Sequence, residues 1–213
     1  MEKETARIEG FSDGVFAIAI TLLVLELRIP ANAVNDQKSM LLHNLGEEWP
    51  SFLAFGLSFF SIFIMWVNHH KIFKQIYRRN SALMFANGLI LFLATCISYP
   101  TALLARYYNT PSATVAVAVY TGLFVLINLS YNLLWSIASN NKELLRPEID
   151  LFAIRRIRRN YQYGVPVHLA AFLLSFIWPG GALVLCFILW IYWAFTSGRL
   201  ELASGRSIKK LQE

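Results

Sequence analysis

The stretch Arg7-Ile-Glu-Gly-Phe-Ser-Asp-Gly-Val-Phe-Ala-Ile-Ala-Ile-Thr-Leu-Leu-Val-Leu-Glu-Leu27 decides the fold, because it is an apolar run of spanning length that carries charge and hydroxyl groups at its mouth. A carboxylate inside a bilayer is costly unless it is paired or hydrated. Asp13 at the opening of such a helix therefore points either to function or to a polar network that ties helices together.

Composition places this run in a membrane. Hydrophobic residues make up 56% of the 213, charged residues only 15%, and the mean hydropathy is +0.48, more apolar surface than a soluble domain of this length buries. Apolar runs of about spanning length occur at 11–27, 49–67, 81–105, 114–138, 163–178 and 182–196. The sequence thus predicts an all-α integral membrane protein of six transmembrane helices, forming a single domain over residues 1–213. Only the turn Trp178-Pro-Gly-Gly181 separates the last two runs, which read as a tight helical hairpin.

Lys and Arg near helix ends stay in the cytoplasm. With the N-terminus inside, Lys3, Arg7, Lys71, Lys74, Arg78, Arg79, Lys142, Arg146, Arg155, Arg156, Arg158, Arg159, Arg199, Arg206, Lys209 and Lys210 all face inward, sixteen of nineteen basic residues. Arg28, Lys38 and Arg106 fall outside, and an even span count returns the C-terminus to the cytoplasm. The net charge of +6 therefore reports topology, in a multi-pass protein of the plasma membrane. The basic residues are dispersed among juxtamembrane loops with no folded domain to present them, which argues against a nucleic-acid partner.

Other signals carry less. The first run lacks a small-residue cleavage pattern and is expected to remain as a helix. Cys96 and Cys186 lie in separate runs and form neither a metal-ligand spacing nor a disulfide framework. Residues 32–48 read as a short cap or partly ordered loop, and Pro100 as a kink in the third span. Residues 148–161 interleave Ile149, Leu151, Phe152, Ile154 and Ile157 with four arginines, the pattern of an amphipathic helix lying at the inner leaflet.

At about 100° per residue with Ile18 as zero, Thr21 lies at about 300°, Leu22 at about 40°, Leu25 and Arg7 at about 340°, Gly14 at about 320° and Phe11 at about 20°. These residues share one narrow face, mostly apolar with one hydroxyl. Ser12 and Asp13, at about 120° and 220°, point elsewhere, toward neighbouring helices. From periodicity alone the stripe could meet lipid or another helix as readily as line a path.

A second constellation, Trp66-Val-Asn68-His69-His70, closes the second span. The first span begins on the side to which the second returns, so Ser12 and Asp13 share a depth with Asn68, His69 and His70. A carboxylate accepting bonds from His, Asn or the indole N–H there would be satisfied. The two adjacent histidines point about 100° apart, so one can turn inward while the other faces water. Zinc would require three or four ligands in compatible places, and His43 and His168 lie elsewhere in the chain, so no metal site is expected.

These residues carry a resemblance. Arg7, Phe11, Ser12 and Asp13 reproduce the R-x-x-x-F-S-D signature that opens the first helix of the lysosomal and endosomal potassium channels called transmembrane protein 175, and Trp66 to His70 resembles their second-helix tryptophan and histidine motif. Six spans with both ends inside is one repeat of that family, the form of its prokaryotic members. The resemblance implies a potassium-selective, leak-like channel, a homotetramer whose first helices line the pore, with potassium as permeant ion, the bilayer and further copies of the chain as partners, and no cofactor. It implies Ile18 as the constriction, Leu22 and Leu25 as further apolar rings, and Thr21 as a contributor to selectivity. Arg7, Phe11, Ser12, Asp13, Trp66, Asn68, His69 and His70 become the network that locks the first helix. No T-V-G-Y-G segment is present, which excludes the backbone-carbonyl filter of ordinary potassium channels.

Rival functions fit less well. A secondary transporter usually shows broken helices, repeats and charges near the bilayer midplane, whereas here the mid-span positions are apolar. An enzyme would need a nucleophile with a base, and Ser12, Asp13 and His69 match no reaction by spacing; a non-conducting scaffold has no positive signal. The charge asymmetry generates a direct test. In a background lacking Cys96 and Cys186, a cysteine at Asn109 is expected to react with an impermeant thiol reagent applied outside intact cells, and one at Asn141 to stay unlabelled; the opposite pattern reverses the orientation.

Overall fold

The structure, a computed structural model, describes residues 4–27, 38–147 and 149–193. Lys3, Arg28, Arg199, Arg206, Lys209 and Lys210, together with the last residues of the sixth predicted run, lie outside these. Helix α1 (Ala6–Leu22) tightens into a 3-10 turn over Leu23–Glu26. Then follow α2 (Lys38–Glu47), α3 (Trp49–Gln75), α4 (Ser81–Thr95), α5 (Ser98–Tyr107), α6 (Ala113–Asn140), α7 (Leu151–Ser175) and a last apolar helix α8 (Pro179–Trp193). Part of the predicted 32–48 loop is therefore helical.

Local chemistry sets these bounds. Asn80 and Asp150 cap α4 and α7, their side-chain oxygens accepting from Leu83 N and Ala153 N. Pro50 sits in the first turn of α3, where no N–H is required. Pro100 lacks an N–H and crowds the carbonyl four residues back, at Cys96, so the expected kink is a break between α4 and α5. Trp178 folds over the hairpin turn, and a Cβ on Gly181 would come within 2.4 Å of its ring.

The predicted six spans are not supported. Four helical stretches are long and apolar enough to cross a membrane, Ala6–Glu26, Trp49–Gln75, Ser81–Tyr107 and Ala113–Asn140, with Pro179–Trp193 shorter. The 163–178 run is the second half of a helix that begins in the arginine-rich segment, because nothing in Tyr161-Gln-Tyr-Gly164 stops the helical period. For the same reason residues 151–161 do not lie apart along the leaflet. They continue into α7, which pairs with α6 more extensively than any other two helices pair. The described part of α8 is about 22 Å long by its rise per residue, and it folds back so that Trp193 stacks on Tyr161 at 5.5 Å.

Helix α1 packs on α3 and α4, and α6 lies between α4 and α7. Hydroxyl groups join α3, α5 and α6 in the interior: Ser58 meets Thr101 at 2.6 Å and Tyr120 at 3.3 Å, and Tyr131 donates to Met65 O at 2.7 Å. An antiparallel clasp ties the ends of α3 and α6, with Tyr77 N donating to Leu144 O and Arg146 N to Gln75 O around buried Ile76 and Leu145. These pairings gather the start of α1, the ends of α3 and α6 and the start of α7 at one end of the bundle, where Lys71, Lys74, Arg78, Arg79 and the α7 arginines also lie.

Helix α7 admits the Asn128 side chain of α6 at Gly164, where an added Cβ would meet Asn128 Nδ2 at 2.2 Å. Gly164→Ala is expected to destabilise the chain by about 1–3 kcal/mol through overpacking, seen as a lowered thermal midpoint in detergent. Gly14→Ala, with nothing within 4 Å of its Cβ position, is expected to leave that midpoint of the single chain unchanged.

Candidate pore helix and its anchoring network

Helix α1 has two unlike faces. Ile8, Ser12, Phe16 and Ala19 are buried against α3 and α4, and Leu23 of the 3-10 turn against α3 and α5, while Arg7, Gly10, Phe11, Gly14, Ile18, Thr21, Leu22 and Leu25 are exposed. Of its apolar window only 28% is buried, against 44%, 44% and 50% for the other three spanning stretches. The chain itself thus leaves one side of its first helix bare.

The buried side is held by a chain of hydrogen bonds. Ser12 Oγ donates to Ile8 O at 2.8 Å and accepts from Asn87 Nδ2 at 3.0 Å. The Asn87 carbonyl oxygen can only accept, so His69 Nε2, 2.7 Å away, is the donor, and the imidazole carries its proton on that nitrogen. Three helices meet in these bonds. His69 is 1% exposed, stacked on Phe73 at 4.4 Å and edge-on to Phe16 at 5.3 Å. His70 is exposed, so of the two adjacent histidines His69 turns inward.

Asp13 belongs to a separate contact. Its Oδ1 accepts from Trp66 Nε1 at 2.8 Å at the edge of the exposed face, and the indole lies against Phe63 and His70. Two anchors therefore hold α1, one buried through Ser12 and one peripheral through Asp13. Asn68 sits half-buried on α3, where its carbonyl lies 3.5 Å from the Tyr161 hydroxyl. Arg7 and Phe11 stand exposed, unjoined to either anchor among the described residues. Asn87, central to the buried chain, is a residue that sequence reasoning missed. A polar Asn inside the apolar run Ser81-Ala-Leu-Met-Phe-Ala-Asn-Gly-Leu-Ile90 was the available signal.

Along the exposed face, Ile18 is 59%, Leu22 50% and Leu25 70% exposed. The 3-10 turn changes the angular step from about 100° to about 120°, so residues three apart eclipse and Leu25 stands above Leu22 instead of beside it. Thr21 Oγ1 donates its proton to Ile18 O at 3.0 Å, which leaves the oxygen's lone pairs as its outward chemistry. Ile20 packs against the core, and Val24 is 53% exposed, on the same side as Asp13 and Ala17. Where α1 ends, Glu26, Glu47, Glu48, Ser51, Arg106 and Asn109 line a polar cavity of about 340 Å³, three carboxylates against one guanidinium.

Comparison with known proteins agrees with this geometry. A family model described as "Endosomal/lysosomal potassium channel TMEM175" matches residues 7–98, the segment from the start of α1 through α4. A protein of Chamaesiphon minutus named a potassium channel is 46% identical over 196 residues, covering 92% of this chain and 96% of its own. A Streptomyces collinus protein, also named a potassium channel, is 43% identical over 162 residues, 76% of this chain and 77% of its own. Among solved structures, the crystal structure of a lysosomal potassium-selective channel TMEM175 homologue from Chamaesiphon minutus superposes with a TM-score of 0.82 at 45% identity, covering 91% of this chain and 98% of that one. The chain belongs to the TMEM175 family, a family of ion channels and not of enzymes.

Proposed function

We propose that this chain is a potassium channel of the plasma membrane whose pore is lined by α1 from four copies, with Ile18 as the constriction. The observation that carries this is the bare face of α1: a membrane helix bonded along one side and exposing Phe11, Gly14, Ile18, Thr21, Leu22 and Leu25 along the other. One helix cannot enclose a path, so that face requires symmetric copies around an axis. Membership of the family and the potassium-channel names of both bacterial relatives support the permeant ion.

Rings of Ile18, Leu22 and Leu25 would narrow and dewet the path, so closure needs no charged gate. A ring of Thr21 oxygens, with their protons already given to the backbone, would offer lone pairs to a cation that has shed part of its water. The carboxylates around Glu26 would raise the local cation concentration at that mouth. Ser12, Asn87, His69, Asp13 and Trp66 then hold α1 at a set radius and carry no ion.

Passive potassium and sodium flux into liposomes carrying the purified chain tests the lining. A barrier lowered by about 1.4 kcal/mol raises flux about tenfold, and Ile18→Asn, which hydrates the narrowest ring, is expected to gain at least that. Thr21→Val is expected to keep conduction and lose potassium preference, and Ile20→Val to change neither. Flux that ignores Ile18 and Thr21 excludes this lining; flux coupled stoichiometrically to another ion favours a transporter, and no flux at all a scaffold.

The anchoring bonds predict the complementary outcome. Asn87→Leu leaves His69 without its acceptor, at a cost of about 1–3 kcal/mol for the stranded group, while Ser12 keeps its bond to Ile8 O. Asn87→Leu and Trp66→Phe are both expected to lower the thermal midpoint while the potassium to sodium ratio of the surviving channels stays as in the parent chain. A changed ratio with an intact midpoint would move those residues to the ion path.

A further inference from the structure

The outward face of α7 carries a pattern that the channel mechanism does not use. Arg158, on the flank of the helix, donates to Ser139 Oγ and to Asn140 Oδ1, both at 2.8 Å. Those acceptors are the last residues of α6, a helix of 28 residues. Its length is about 42 Å against a hydrocarbon thickness of about 30 Å, so its ends stand among the lipid headgroups. Arg158 thereby sets the depth of α7, and the buried Tyr161, Gly164, His168 and Ala171 set its rotation.

With that rotation fixed, Arg155 and Arg159 face outward, and no described residue pairs with either. They are four residues apart, neighbours on one helix face. Helix α7 contains no Asp or Glu, and the carboxylate that caps it, on Asp150, accepts from Ala153 N. One turn deeper stands Tyr163, 59% exposed, and beyond it Pro166, Leu169 and Leu173 continue the exposed face as an apolar track. Arg159 and Pro166 are separated by about 10 Å of helix rise, the depth of a headgroup above the start of its acyl chains. Helix α7 has α6 as its main partner whereas α1 rests on α3 and α4, so the α7 face lies on the edge of the bundle remote from α1.

We infer that this face binds an anionic phospholipid, its phosphate held between Arg155 and Arg159 and its acyl chains laid along Pro166, Leu169 and Leu173. The charge complementarity is specific to a phosphate beside an apolar track: guanidinium forks pair with phosphate oxygens, Tyr163 has the amphipathic ring that prefers the interface, and no local carboxylate on the helix neutralises the arginines. A zwitterionic lipid would bring its own cation to the same place and gain less.

Native mass spectrometry of the full chain, extracted from phosphatidylcholine vesicles with and without phosphatidylglycerol, tests the assignment. Retention of phosphatidylglycerol over phosphatidylcholine is expected on the order of tenfold. The double variant Arg155→Gln, Arg159→Gln should lose that preference while keeping its thermal midpoint in neutral detergent, since neither side chain bonds a described residue. Arg106→Gln, near the opposite end, should keep it. Inorganic phosphate should fail to displace the bound lipid. Three results overturn the inference: no preference in the parent chain, an unchanged preference in the double variant, or displacement by inorganic phosphate, which would mean a bare anion site. A change of oligomeric state in the double variant without any lipid preference would instead make this face a contact between copies.

Discussion

Asn87 donates to Ser12 Oγ at 3.0 Å and accepts from His69 Nε2 at 2.7 Å in a part of the bundle where these residues are almost wholly buried, and the position of the first helix depends on those two bonds. Burial gives them their weight. A donor stranded there would lose its partner without gaining water, so moving α1 leaves the Asn87 amide, which His69 holds in place from α3, unpaired in a dry interior. The aromatic edge and face contacts of His69 with Phe16 and Phe73 close the space around it.

Because polar attachment is confined to one side of α1, the other side is free to be apolar and small. Gly10 and Gly14 lie on it with nothing near their Cβ positions, and Ile18, Leu22 and Leu25 follow. The same separation keeps the Asp13 carboxylate off the exposed stripe, whose one charged residue is Arg7 at its start. Asp13 is drawn to the edge by the Trp66 indole, and Ser12 is turned to the back by Asn87. The 3-10 turn over Leu23–Glu26 then brings Leu25 into line with Leu22 and ends the helix at the carboxylates.

On the far edge, α6 and α7 run together over most of their lengths, from Arg158 on Ser139 to Phe172 beside Gly122. A helix with four arginines in its first nine residues does not resemble a span by hydropathy, yet it packs beside one from end to end. The count of six spans failed here. Hydropathy measures how apolar a window is, whereas the place of α7 is decided by Arg158 bonding the end of α6 and by glycines that make room for the facing side chains of Asn128 and Phe172.

Part of the geometry was legible beforehand: the membrane class from composition, one exposed face holding Phe11, Gly14, Ile18, Thr21 and Leu22 from the helical period, and the meeting of Asp13 with the Trp66 to His70 segment from shared depth. Periodicity sees these because an α-helix repeats its faces at a fixed angle. Tertiary structure alone decided that Asn87 joins Ser12 to His69, that Asp13 goes to Trp66 instead, that His69 and not His70 turns inward, and that a 3-10 turn brings Leu25 into line with Leu22. Which polar group meets which depends on the rotation of one helix against another, and that rotation is set by packing among residues far apart in the chain, to which no local pattern is sensitive.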